Sequence, residues 1–143
     1  MERQAISAQV HNNIIALISL IVTLSTLLYI VWREEATEQN RNIRQASFEV
    51  LKNLGELQVI VNYAHYEPTN SMGNPVLGWG RIALITDLSE LLPPPIPEKV
   101  KLLKESWQSN WQSLKTDQKS TDLVSSNIDD SREAILDLLN KIK

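Results

Sequence analysis

Residues 14–31 read IIALISLIVTLSTLLYIV and form the centre of an uncharged run of twenty-one residues from Asn12 to Trp32. At about 1.5 Å of rise per residue, this run makes a helix roughly 31 Å long, close to the hydrocarbon thickness of a bilayer. The length and the content of Ile, Leu and Val predict a transmembrane helix over residues 12–32. Residues 1–11 are then a short N-terminal tail.

A cleaved signal peptide is the main alternative for the same run. Such a peptide has a positively charged start, a shorter apolar stretch and small residues before its cleavage site. Besides the amino terminus, the segment ahead of the run offers only Arg3 as a clear positive charge, and Glu2 offsets it. The run ends in YIVWR at residues 29–33, with no A-x-A-like site. The pattern therefore favours an anchor that is not cleaved.

One face of the predicted span carries small and hydroxyl side chains, which recur three or four residues apart: Ala16, Ser19, Thr23 and Thr26. Small residues let helices approach closely in lipid, and hydroxyls can bond across the contact. We therefore predict that this face pairs with a second copy of the chain or with another membrane protein. The alternative is that the hydroxyls bond to carbonyls of their own helix.

The end of the predicted span carries an interfacial signature in Tyr29, Trp32 and Arg33. Aromatic rings with a polar atom favour the headgroup layer, and a long basic side chain can reach it from the apolar region. These three residues predict where the chain leaves the bilayer.

The orientation of the span follows from the basic residues on each side of it. Arg3 precedes the span, whereas three arginines follow it closely: Arg33, Arg41 and Arg44. The positive-inside rule counts these residues and gives little weight to acidic ones. The count leans towards a cytoplasmic C-terminal domain with a short exported tail. We expect a single-pass protein of a bacterial plasma or inner membrane.

Residues 33–143 form the rest of the chain. Their pattern predicts a single polar helical domain, with helices at about 36–66, 76–92, 97–118 and 121–142. The fold class is thus all-α. We expect the transmembrane helix to continue into the long first helix, which packs with two to three further helices as a small antiparallel bundle.

The first of these helices has an apolar stripe that alternates by four and three residues, close to a heptad. The stripe comprises Ile43, Ser47, Val50, Leu54, Leu57, Val61 and Ala64, and is widened by Phe48, Leu51 and Ile60. The second helix presents Ile82, Ile85, Leu88 and Leu92, with Leu77, Trp79, Leu84 and Leu91 nearby. Such stripes predict faces that bury each other.

Turn formers separate the helices. Residues 67–75 read EPTNSMGNP and predict a loop, in which Asn74 is the N-cap of the next helix and a proline follows it. The prolines within residues 93–97 predict a stiff extended connector. Asp130 and Glu133 resemble a capping box, so the last helix either starts near residue 131 or runs from 121 with a kink.

The composition excludes several classes of function. The formal net charge is −3, without a basic block, which argues against nucleic-acid binding. The chain has no cysteine, so thiolate catalysis and cysteine-based zinc sites are absent. His65 is the one base available to a serine nucleophile in the polar domain, and a bond to carbonyls at a helix end is its simpler role. We predict no catalytic residue, no metal and no cofactor.

Three tryptophans of the polar domain form a candidate cluster. Trp107 and Trp111 are one helical turn apart, and Trp79 can meet them from the preceding helix. In a small domain such rings belong first to the core. The alternative is an aromatic surface that anchors a partner protein.

These observations predict a non-enzymatic membrane-anchored protein, acting as a scaffold, an accessory subunit or an oligomer. Its partners would be the lipid bilayer and either itself or another membrane protein. The alternative is an extracytoplasmic ligand-sensing bundle that works through a separate output protein. A phage-type lysis or envelope-bridging protein is a third hypothesis, which the proline-rich connector fits poorly.

Overall fold

The computed structural model describes residues 2–142, with side chains described at 13–35 and 37–142. The fold of these residues is all-α, without strands, and the four helices pack together. The helices are α1 (Glu2–Tyr66), α2 (Pro75–Ser89), α3 (Ile96–Asn110) and α4 (Gln118–Lys141), with a 3-10 turn at Ser71–Gly73. The chain divides into two compact units, Met1–Asn40 and Arg41–Lys143.

The first unit consists of the N-terminal part of α1. Because α1 begins at Glu2, the backbone of the predicted tail is helical from that residue, and the side chains of residues 1–11 lie outside the described residues. Among the described residues, one helix is long and apolar enough to cross a membrane. Its most apolar 18-residue window has a mean hydropathy of 2.6, and none of that window is buried.

The second unit is built around the predicted stripe of α1. Val50, Leu54, Leu57, Val61 and Ala64 have no exposed surface, Ser47 is equally buried, and Ile43 packs at the edge of the core. The four–three spacing places these residues on one side of the helix, so their burial follows from the helical period. The stripe is confirmed, except that Phe48, which was expected to widen it, is 61% exposed.

The other three helices each contribute one buried face to this core. Their buried apolar residues are Ile82 and Ile85 on α2, Ile96, Val100, Leu103 and Trp107 on α3, and Val124, Ile128 and Ile135 on α4. Leu92 and Leu114, from the two connections, are also buried. The second unit therefore has one core, which the stripes predicted.

Contacts between α1 and α4 show that the two helices run antiparallel. His65, near the end of α1, lies beside Thr121 at the start of α4, with 3.3 Å between Nδ1 and Oγ1. Arg44, earlier in α1, donates a hydrogen bond to the carbonyl of Ile142, which caps α4. A cation at this helix end also interacts favourably with the helix dipole.

The remaining neighbours are antiparallel as well. Gly78, near the start of α2, packs against Trp107 near the end of α3. In α3, the Asn110 side-chain oxygen lies 2.9 Å from the Ser120 hydroxyl oxygen, and Lys99 lies 3.4 Å from Asp130, further along α4. Successive helices thus alternate in direction.

The start of α2 confirms the predicted cap. The Asn74 side chain accepts from the backbone N–H of Val76 at 3.1 Å, and Pro75 occupies the first helical position. Proline is favoured there because the N–H that it lacks would have no partner within the helix.

The ends of α2 and α3 differ from the prediction. Helix α2 ends at Ser89 instead of residue 92, because residues 90–92 form a turn in which Leu92 N–H donates to the Ser89 carbonyl at 3.0 Å. The following prolines make a short turn, not an extended connector, since Ile96 N–H donates to the Pro93 carbonyl at 3.3 Å. Helix α3 ends at Asn110, eight residues before the predicted end.

The start of α4 also differs. Its N-cap is Asp117, whose carboxylate accepts from the backbone N–H groups of Lys119 and Ser120. The helix then runs through Asp130 without interruption, so the capping box predicted at Asp130 and Glu133 is wrong.

Candidate functional site

The predicted contact face of the span is exposed at each of its four residues: Ala16, Ser19, Thr23 and Thr26. Two hydroxyls on this face bond to their own helix: Thr23 Oγ1 donates to the Ser19 carbonyl, and Thr26 Oγ1 to the Val22 carbonyl, both at 2.8 Å. Each oxygen keeps its lone pairs, so it can still accept a bond from another helix.

The predicted interfacial residues lie together at the end of the apolar run. The rings of Tyr29 and Trp32 are 6.4 Å apart and tilted by 42°, and both are exposed. Arg33 follows on the same helix and is exposed as well.

The structure brings the three tryptophans of the second unit into one cluster. The ring of Trp79 lies 6.4 Å from that of Trp107 and 6.2 Å from that of Trp111, and both pairs meet edge to face. Trp107 is fully buried, while Trp79 and Trp111 are partly buried against the core. The geometry therefore gives Trp107 the core role, and little of the cluster is free to anchor a partner.

His65 holds the end of α1 against the connection between α3 and α4. Its Nδ1 lies 2.8 Å from the Leu114 carbonyl, so Nδ1 carries the hydrogen and donates. The Thr121 hydroxyl donates to the same carbonyl at 3.2 Å and is buried. The histidine does bond to a carbonyl, but to one from another segment and not from its own helix end.

Hydrogen bonds lower the pKa of Asp117, which lies just before α4. The hydrogen bond from the Ser120 hydroxyl, at 2.6 Å, holds the pKa of Asp117 below 3.8. The backbone N–H groups of Ser120 and Lys119 act in the same direction, because all three donors favour the charged carboxylate. Asp117 is the N-cap of α4 and lies on the surface, so its lowered pKa reflects its role in capping that helix and does not indicate a catalytic role.

Metal-ligating side chains do not gather in the described part of the chain. Within residues 13–35 and 37–142, histidine and the acidic residues form no group of three or more that could hold a metal ion.

A groove between α1 and α2 is the feature that the sequence-based prediction missed. It has a volume of about 610 Å³ and is lined mainly by apolar side chains: Val59 and Ile60 from α1, Met72 from the loop, and Leu77, Gly80 and Leu84 from α2. Arg81 and Glu56 complete the lining and form an ion pair, with 2.6 Å between Nη2 and Oε2.

The position of the groove explains why it was missed. Leu77, Leu84 and Leu91 were expected beside the buried face of α2, yet they are 55%, 47% and 64% exposed. The seven-residue spacing of Leu77 and Leu84 is itself a signal, because it places both on one line along α2. That line is separate from the buried line of Gly78, Ile82, Ile85 and Ser89.

Comparison with known proteins adds no relative: no family model, curated protein or solved structure matches this chain.

Proposed function

We propose that this chain is a single-pass, membrane-anchored helical protein without enzymatic activity, which acts by bringing copies of itself or other membrane proteins together. The apolar run of α1 supports the anchor, since it contains eighteen consecutive residues with a mean hydropathy of 2.6, none of which is buried. An exposed apolar surface of that length is costly in water and favourable in lipid.

The exposed residues at the end of that run support the same proposal. Tyr29, Trp32 and Arg33 follow the apolar residues in the order expected on leaving a bilayer, with rings first and the basic residue last. Beyond them, α1 enters the second unit, whose core is complete in helices α1 to α4. Such a unit is suited to present a surface at the membrane.

Association within the membrane would use the face formed by Ala16, Ser19, Thr23 and Thr26. The Thr23 and Thr26 hydroxyls each donate to their own helix, so close packing of small side chains supplies most of the attraction. We propose that the C-terminal unit faces the cytoplasm, in line with the arginine distribution around the span.

Extraction of membranes with alkaline carbonate tests the anchor. We expect the full chain to stay in the membrane pellet at high pH and to be released only by detergent. A chain extracted into the soluble fraction, or a mature protein that starts after Trp32, would overturn the proposal.

Association through the span is tested by replacing Ser19 and Thr23 with leucine. Larger side chains would hold the helices apart, so we expect less dimer in native mass spectrometry from a mild detergent. Replacing Ser25, which lies off this face, with leucine is the matched control. Equal loss of dimer in both variants would argue against a specific face.

A fusion after Lys143 tests the proposed sidedness. A reporter that is active only in the cytoplasm should be active in this fusion. A reporter that is active only outside the cytoplasm would favour the ligand-sensing alternative.

A further inference from the structure

Helix α2 is apolar on two sides, although only one side is covered. Gly78, Ile82 and Ile85 lie in the core, while Leu77 and Leu84 remain half exposed on another side. A helix that is apolar around most of its circumference is typical of a position with neighbours on both sides. Within the second unit, the side of α2 that carries Leu77 and Leu84 therefore remains uncovered.

The exposed side of α2 is open at its centre. Gly80 lies between Leu77 and Leu84 in the lining of the groove, and a Cβ at Gly80 would have no atom within 4 Å. Because glycine has no side chain, another helix can approach the α2 backbone closely at this point. The two leucines flank that point, three residues before it and four residues after it.

The charges beside this point are paired and sum to zero. Arg81 contacts Glu56 at 2.6 Å and also donates to the Asn53 side-chain oxygen at 3.1 Å. The side chains of Arg81 and Glu56 stay 40% and 38% exposed, although the Glu56 Oε2 atom that meets Arg81 is itself buried. A partly exposed pair of opposite charges is complementary to a copy of itself related by a two-fold axis, since each charged side chain can then face its opposite.

We propose that the occupant of this groove is a second copy of the chain, related by a two-fold axis that passes close to Gly80. Leu77 and Leu84 of each copy pack around the axis, and each Arg81 comes near Glu56 of the other copy. The inference rests on the proposed function, because anchoring in one membrane raises the effective concentration of the second copy. It adds a second contact, outside the span.

Disulfide crosslinking tests the proposal directly, since the chain has no cysteine of its own. A two-fold axis near Gly80 brings residue 80 of both copies together, within the short Cα separation that a disulfide requires. We therefore expect the full-length Gly80→Cys variant in native membranes to form a covalent dimer under mild oxidation. Gly55→Cys is the matched control, because Gly55 lies outside the groove and also has open space around its Cβ position.

A steric variant tests the same contact in solution. Gly80→Leu fills the centre of the proposed interface, and its Cβ meets no atom of its own chain within 4 Å. We expect self-association of the full chain in mild detergent to weaken by about tenfold or more, as for changes at the centre of an interface. Gly55→Leu should leave it unchanged, and circular dichroism should show equal helix content in both variants.

The ion pair offers a second, independent variant. Arg81→Glu removes the attraction between copies, so the dimer should be lost. The double variant Arg81→Glu with Glu56→Arg restores a complementary pair with reversed polarity, and we expect the dimer to return. No recovery in a folded double variant would count against the proposed role of these charges.

The outcomes separate this inference from the proposed function. If the Gly80→Cys and Gly55→Cys variants crosslink equally while leucine at Ser19 and Thr23 abolishes the dimer, the groove inference fails and the association through the span stands. If the Gly80→Cys variant crosslinks to a different protein and not to itself, the choice of a second copy is overturned. A chain that is monomeric at every concentration overturns both.

Discussion

The indole ring of Trp107 lies directly against the backbone of Gly78. A Cβ atom placed on Gly78 would be 2.2 Å from Trp107 Cζ2 and 2.3 Å from Cη2. Only a residue without a side chain fits at this point, because the indole occupies the space that a Cβ would take. Trp107 is fully buried as a result, and Trp79 then meets its edge.

Gly78→Ala is expected to destabilise the second unit. The added methyl group must displace a buried indole, which costs about 1–3 kcal/mol, partly offset by the better helix propensity of alanine. For a domain of about 100 residues, each kcal/mol corresponds to roughly 4–8 °C in Tm. Thermal unfolding followed by circular dichroism measures this shift. Gly80→Ala is the control, since a Cβ at Gly80 meets nothing within 4 Å, and its Tm should stay level or rise.

Asp117→Ala is expected to lower the Tm at neutral pH, because α4 loses its N-cap. The folded pKa of Asp117 lies below the ordinary value of 3.8, so the cap stabilises the fold above that pH. The stabilisation is lost as the pH falls through the folded pKa, where the carboxylate is protonated in both states. The difference in Tm between the wild type and the variant should therefore be constant near neutrality and shrink towards pH 3.

Asp130→Ala distinguishes the observed N-cap of α4, Asp117, from the one predicted from the sequence, Asp130. Asp130 is exposed within α4 and forms a surface ion pair with Lys99 at 3.4 Å. Such pairs contribute about 0–1 kcal/mol. The Tm of Asp130→Ala should therefore change less than that of Asp117→Ala. A larger loss at Asp130 than at Asp117 would contradict the helix boundaries described above.

The connection between α3 and α4 shows where sequence patterns stop being sufficient. Leu114 continues the apolar stripe of α3, which is why the helix was predicted to run on to residue 118. The structure ends α3 at Asn110, where the Asn110 amide donates to the Ser106 carbonyl at 2.7 Å and its side-chain oxygen lies 2.9 Å from the Ser120 hydroxyl oxygen. Leu114 is buried, but it lies in the turn that follows α3. Periodicity predicts which residues are buried. Whether a buried residue lies in a helix or in a turn is decided by tertiary contacts.

The groove shows a second limit. The alternation along α1 is regular because that helix has one buried side, and there the prediction was correct. Helix α2 has apolar residues on two sides. The sequence pattern assigned Ile82 and Ile85 to the buried face correctly, but it placed Leu77 and Leu84 beside that face and not on an exposed line of their own. The glycines decide it in the structure, since Gly78 admits Trp107 while Gly80 has open space.

Ser47→Ala is expected to stabilise the protein. Ser47 interrupts the apolar stripe of α1, and its buried hydroxyl has no hydrogen-bond partner among the described residues. An unsatisfied buried hydroxyl costs about 1–3 kcal/mol, and alanine removes it with little loss of volume. Ser131→Ala is the matched control, because the equally buried Ser131 hydroxyl donates to the Asn127 carbonyl at 2.8 Å. Chemical denaturation should show a gain for Ser47→Ala that exceeds any gain for Ser131→Ala.

His65→Leu is expected to loosen the connection between α3 and α4. The imidazole donates to the Leu114 carbonyl at 2.8 Å, and leucine fills similar space without a donor. A hydrogen bond of this kind contributes about 0.5–1.5 kcal/mol to the free energy of unfolding. Hydrogen exchange should become faster at the amides of residues 111–121, while the amides in the middle of α3 stay protected. His65→Asn keeps a donor close to the position of Nδ1, so it should recover much of the protection. Uniformly faster exchange throughout the second unit would instead indicate that His65 acts through general packing.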